Sequence, residues 1–143
     1  MPITVRNQQR QHKIRATVLK RLAGKILQQL NSQMDIGIVL VDDAAITRLN
    51  REFHHTDNPT DVLAFDYGEG QAEIIISVER AVAQARRYRN TASRELALYV
   101  VHGLLHLHGY DDLKPTERRK MRAAERGMMT LLKAETPNLF FSE

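Results

Sequence analysis

Apolar residues recur along this chain with two periods, and the switches between them divide it into elements. Ile3 and Val5 alternate with polar neighbours and predict a short opening strand. Ile14, Val18, Leu22, Ile26 and Leu30 then recur every four residues, the stripe of an amphipathic helix. Ile36, Ile38 and Leu40 alternate again and predict a strand running to Val41, after which Asp42 and Asp43 can cap a short helix through Leu49. Asp57-Asn58-Pro59 signals a turn. Val62-Leu63-Ala64-Phe65 is continuously apolar and too short for a helix, so it reads as a strand buried on both faces. Gly68-Glu69-Gly70 turns the chain into a second buried strand at Ile74-Ile75-Ile76. Ser77 can cap the helix that follows, with Val78, Val82 and Ala85 on one side.

The next helix is expected to start at Ser93, with Glu95 favourably placed in its first turn. It carries Leu96, Tyr99, Val100, Val101, Leu104 and Leu105, apolar almost all round, and so belongs in the core. Pro115 opens a last amphipathic helix with Met121, Ala124, Met128 and Leu131 inward. Interleaved in this order, about four strands and about five helices predict an α+β domain over residues 1–143, its small sheet covered mainly on one face.

The end of the buried helix changes the picture from fold to chemistry. It reads His102-Gly103-Leu104-Leu105-His106-Leu107-His108-Gly109-Tyr110-Asp111-Asp112. Four residues turn only about 40° past a full revolution, so His102 and His106 share a face. Gly109 can take the left-handed conformation that ends a helix, which lets the chain double back and bring Asp112 towards the pair. Two nitrogens and one oxygen, with a fourth position left for water, form the ligand set of a catalytic zinc site. His108 is rotated about 200° from His106 and is expected to be hydrogen-bonded or exposed elsewhere. Asp111 is the rival ligand; the spacing favours Asp112 and leaves Asp111 to cap the turn or orient a histidine from behind.

Zincin metalloproteases share this placement, but they need a glutamate directly after the first histidine. Gly103 stands there, so the proteolytic reading loses its base. An anionic Asp112 neutralises one unit of metal charge, which predicts a less acidic bound water and tolerance of Mn²⁺, Fe²⁺ or Mg²⁺ beside Zn²⁺.

Composition narrows this further. Of 143 residues, 43% are apolar and 27% charged, an ordinary globular balance. There are no cysteines, so any metal must sit on histidine, carboxylate or water, which is compatible with the cytoplasm. No stretch has the apolar length of a signal peptide or a membrane span, and no membrane association is expected. The formal charge is +4, from 21 Lys and Arg against 17 Asp and Glu. Lys13, Arg15, Lys20, Arg21 and Lys25 crowd one early helix, and Arg118, Arg119, Lys120, Arg122 and Arg126 a late one; both read first as solvated faces. Aromatic residues are 6% and lie mostly in apolar runs, which predicts no exposed base-stacking platform and an affinity for nucleic acid that rests on charge.

These residues resemble the YbeY family, bacterial metal-dependent endoribonucleases of rRNA maturation and ribosome quality control. The family's hallmark is histidine, glycine, any residue, Leu-His-Leu, any residue, Gly-Tyr-Asp-His. The stretch from His102 matches every fixed position but the last, where Asp112 replaces a histidine. Leu49-Asn50 with Phe53, then Pro59-Thr60-Asp61-Val62-Leu63-Ala64-Phe65, is similar to a second block, with alanine where serine is usual. Ala72-Glu73-Ile74-Ile75-Ile76-Ser77 is similar to the family's glycine-aspartate-isoleucine strand, and the resemblance runs over roughly residues 35–132.

The resemblance implies a small mixed sheet surrounded by helices and one metal ion, usually zinc, carried here onto His102, His106 and Asp112. It implies single-stranded RNA as substrate, notably the 3′ end of 16S rRNA, with the small ribosomal subunit as partner in the cytoplasm and no role for DNA. His54 follows Phe53 where many members carry an arginine thought to meet the RNA phosphate, so it is a candidate for phosphate contact or proton transfer. Two other readings stay open: an assembly factor whose metal only fixes the fold, and a zinc hydrolase of another substrate class.

Overall fold

A computed structural model describes residues 2–54, 61–134 and 139–141, the side chain of His54 excepted. Its elements run β1 (Ile3–Asn7), α1 (Ala16–Gln29), β2 (Asp35–Val41), α2 (Asp43–His54), β3 (Val62–Gly68), β4 (Gln71–Ser77), α3 (Val78–Arg87), α4 (Ala92–Leu107) and α5 (Pro115–Leu131). The strands form one mixed sheet in the order β1-β2-β4-β3, with β1, β2 and β4 parallel and β3 antiparallel to β4. This is the α+β arrangement expected from the sequence.

The pleat of the two central strands divides the core. Ile36, Ile38 and Leu40 of β2, with Ala72, Ile74 and Ile76 of β4, face a large cluster that includes Leu22 and Ile26 of α1 and Leu96, Val100 and Leu104 of α4. Val39, Val41 and Ile75 face the other way, where Ile46 of α2 and Leu63 close a smaller cluster. α4 is buried between the sheet and its helical neighbours, as its apolar circumference requires.

The local signals that fix the elements are legible. Asp42 Oδ1 accepts the amide of Ala45 at 2.8 Å and starts α2, which runs on past the expected end at Leu49. Ser77 Oγ accepts the amide of Arg80 at 3.1 Å and caps α3. Between β3 and β4, Glu69 and Gly70 both have positive φ, 55° and 77°, the turn that matches the twist of a tight hairpin.

Four expectations are corrected. In α1 the expected Leu22 and Ile26 are buried together with Leu19, Ala23 and Leu27, while Val18 and Leu30 lie at the margin because a spacing of four drifts about 40° per step; Ile14 is buried too, but ahead of the helix, where it bridges Phe140. β3 is an edge strand with only Leu63 buried, so its apolar run does not mean burial on both faces. On α5 the inward row is Met121, Glu125 and Met129, with Ala124 and Met128 at its margin and Leu131 exposed. α4 is capped by Thr91, whose hydroxyl accepts the Arg94 amide at 3.1 Å, whereas Ser93 is buried and its Oγ accepts the Phe140 amide at 3.3 Å. Thr91→Ala is therefore expected to cost about 1 kcal/mol in urea unfolding, the ordinary value of a lost helix cap.

Candidate metal centre

The C-terminal turn of α4 reverses the chain. Gly109 has φ 97°; its amide donates to the His106 carbonyl at 3.2 Å, and the Tyr110 amide donates to the Leu105 carbonyl at 3.1 Å. This pair of bonds closes a helix on a left-handed residue. A Cβ at Gly109 would meet nothing within 4 Å, so Gly109→Ala is strained by backbone conformation alone. It should lower unfolding free energy by about 1–2 kcal/mol in urea titration. Beyond the turn, Asp111 Oδ1 accepts the Asp112 amide at 2.7 Å, and the Asp112 carbonyl accepts from Arg118 Nε at 3.2 Å.

These contacts bring Asp112 Oδ2 to 3.9 Å from His102 Nε2. On the other side of the ring, His102 Nδ1 donates to Glu125 Oε2 at 2.7 Å. Glu125 is buried on α5, and its other oxygen accepts from Arg122 at 3.0 Å. Burial pushes the Glu125 carboxyl up, but the hydrogen bonds from His102 and Arg122 outweigh it and hold it below its ordinary value. A carboxylate can only accept, so Nδ1 carries a proton, and Nε2 on the far side of the ring faces a second carboxylate. A cation between that nitrogen and the Asp112 oxygen, a proton or a metal ion, satisfies both. Their 3.9 Å gap is somewhat wider than the ~3.4 Å that separates two ligands bonded at about 2.0–2.1 Å in a tetrahedron.

His106 lies one turn further along α4 and is exposed. Among the described residues no three His, Cys, Asp or Glu side chains gather at metal-holding distance. His102 and Asp112 thus converge, while His106 does not close the set. The donor chemistry fits a divalent ion: an imidazole oriented from behind by a buried carboxylate is the usual support of a metal-binding histidine. His108 stands apart, its Nδ1 donating to the Leu104 carbonyl at 2.6 Å and its Nε2 bonded to Ser32 Oγ at 2.7 Å. The His54 side chain and the turn at Asp57-Asn58-Pro59 lie outside the described residues.

Gly103 has a structural reason. A Cβ there would lie 3.0 Å from both Ile74 Cγ2 and Val62 Cγ1, because α4 rests directly on β3 and β4 at this point. Any side chain here has to push these two methyl groups aside.

A cavity of about 280 Å³ opens at His102, lined also by Asp61, Tyr99, Asp112 and Arg122. Asp61 belongs to the second block of the resemblance, where it has no assigned role, and Tyr99 to the apolar run of α4; packing brings both to the cavity. The Asp61 carbonyl accepts the Ser77 amide at 3.1 Å, which ties the start of β3 to the end of β4. Burial pushes the Asp61 carboxyl above its ordinary range against the pull of Arg80 and His102. Burial likewise drives the Tyr99 phenol far above its ordinary value, with Asp61 and Glu95 adding to the rise, so it remains a hydroxyl. That hydroxyl is buried and lies close to the Asp61 and Glu95 carboxyl groups.

Comparison with known proteins agrees with this fold and motif. The family model of Endoribonuclease YbeY matches residues 4–133. The chain is 40% identical over 114 residues to Endoribonuclease YbeY of Desulfitobacterium hafniense (strain Y51), covering 70% of this chain and 73% of the relative. It is 32% identical over 147 residues to the Endoribonuclease YbeY of Geobacter metallireducens, covering 94% of this chain and 98% of the relative. The solution structure of TM1509 from Thermotoga maritima superposes with a TM-score of 0.61 at 25% identity, covering 92% of each chain. The chain belongs to the YbeY endoribonuclease family.

Proposed function

We propose that this chain is a metal-dependent endoribonuclease that cuts single-stranded RNA, acting on the 3′ end of 16S rRNA at the small ribosomal subunit in the cytoplasm. The observation that carries the reading is His102, held by the buried Glu125 at 2.7 Å with Nε2 left open towards Asp112. His102, Asp112 and His106 would hold one divalent ion, zinc or another metal tolerant of a carboxylate. When bound, it supplies Lewis acidity towards a phosphoryl oxygen and the attacking oxygen.

The remaining work falls to the chain. Glu125 keeps the His102 ring in one tautomer and orientation. Tyr99 sets its buried hydroxyl against Asp61 and so helps to hold that carboxyl at the cavity wall. Asp61, raised by burial, can take the proton of the attacking hydroxyl. Attack on phosphorus by the ribose 2′-hydroxyl expels the 5′ oxygen of the next nucleotide, whereas attack by water that leaves a 5′-phosphate expels the 3′ oxygen; either oxygen leaves with the proton that Asp61 took up. Among the described residues no helix is long and apolar enough to cross a membrane.

The test is cleavage of a single-stranded RNA oligonucleotide by protein stripped with chelator and then reloaded with metal. Reloading is expected to restore cutting, and the ends identify the nucleophile: a 2′,3′-cyclic phosphate means the ribose hydroxyl, a 5′-phosphate means water. RNA left intact by reloaded protein, with His102→Ala behaving identically, defeats the reading.

A further inference from the structure

The cavity at His102 continues past Leu98, Arg122 and Glu125, which also line a second cavity of about 530 Å³ between α4 and α5. Arg94, Arg126 and Lys133 stand on its walls, and the half-buried Leu98 and buried Met129 lie on its floor. Arg94, Leu98 and His102 are spaced by four on α4, so they form one row, with Arg94 about 12 Å from His102 along the helix axis. Arg122 and Arg126 form the facing row on α5. We propose that this groove carries the RNA chain on one side of the cut, gripping its phosphates through Arg94, Arg126 and Lys133 and seating a ribose or base on Leu98 and Met129. The proposal rests on the endoribonuclease reading and extends it to where the substrate lies.

Charge and continuity select this occupant. Arg94, Arg126 and Lys133 form no ion pair among the described residues. The one carboxylate in the lining, Glu125, is already engaged by His102 and Arg122. Like charges four apart on a helix repel, so Arg122 and Arg126 over an apolar floor favour an anion that also has apolar faces. A nucleotide chain has both, and a groove opening into the His102 cavity delivers its next phosphate to the metal-binding side chains. Arg122 touches both spaces: it borders the groove and holds the carboxylate that orients His102.

The experiment measures equilibrium binding of a single-stranded RNA oligonucleotide against salt, with every variant built on His102→Ala so that nothing is cut. Each phosphate contact contributes about 0.7 to the slope of log affinity against log salt on a single strand. Replacing Arg94, Arg126 and Lys133 together by Gln is therefore expected to flatten that slope by about 2. The matched change at Arg10, Lys20 and Arg21, exposed on or before α1, should leave it unaltered. In the cleaving parent the groove substitutions should raise KM more than they lower kcat.

If the parent cuts RNA and the groove substitutions leave the slope unchanged, the groove proposal falls and the endoribonuclease reading survives. If the parent with His102 intact does not cut RNA but the slope still flattens, the groove stands as an RNA site and the catalytic reading falls. Equal flattening by the α1 substitutions, or loss of polyglutamate binding in place of RNA binding, also overturns the groove. Thermal melting of each variant confirms that it is folded.

Discussion

His102→Ala is expected to abolish RNA cleavage and not to be rescued by added metal, whereas Glu125→Gln should weaken metal affinity about 10–100-fold and be rescued. The difference follows from what each side chain touches. His102 presents Nε2 to Asp112 across 3.9 Å, and its removal deletes a donor. Glu125 touches only Nδ1 of that ring and the Arg122 guanidinium, so Gln keeps a similar shape but loses the charge that fixes the tautomer. Cleavage rate measured against metal concentration separates the two: a curve shifted to higher metal for Glu125→Gln, and a flat one for His102→Ala. Identical curves would mean that Glu125 acts on stability alone.

The second large effect is on stability. Leu104 is fully buried two residues from His102, within the cluster that joins α4 to the sheet. Leu104→Ala should cost about 2–5 kcal/mol, the range for a large-to-small change that leaves a cavity. At roughly 3–4 °C per kcal/mol for a chain of this size, melting falls by about 10 °C. Leu113, 79% exposed just past Asp112, is the control, and its change to Ala should stay within about 0.5 kcal/mol. A comparable loss at both positions would mean that α4 is not the buried helix described here.

The role of α4 also separates what was readable from what was not. Its histidine spacing, its terminating glycine and the returning aspartate are local, set by helical period and one positive φ, and each is visible in eleven consecutive residues. The carboxylate behind His102 is not local. It comes from α5, where the pattern placed Ala124, Met128 and Leu131 inward and the structure buries Met121, Glu125 and Met129. Glu125 stands four residues from both Met121 and Met129, in one row with them, which is the local signal of its burial. Asp61 and Tyr99 reach the cavity because β3 pairs with β4 and α4 crosses them, a pairing that no short window of sequence contains.

By itself the sequence determined the nine elements of the described residues, the caps of α2 and α3, the mixed α+β character and a pair of histidines on one helical face, because each depends on interactions between residues at most a few positions apart. The tertiary structure alone decided which face each helix buries, that β3 lies at the sheet edge, how closely Gly103 packs on β3 and β4, and which carboxylate holds His102. Those outcomes depend on how distant segments pack together, and close packing selects one rotation of each helix from several that the periodicity permits.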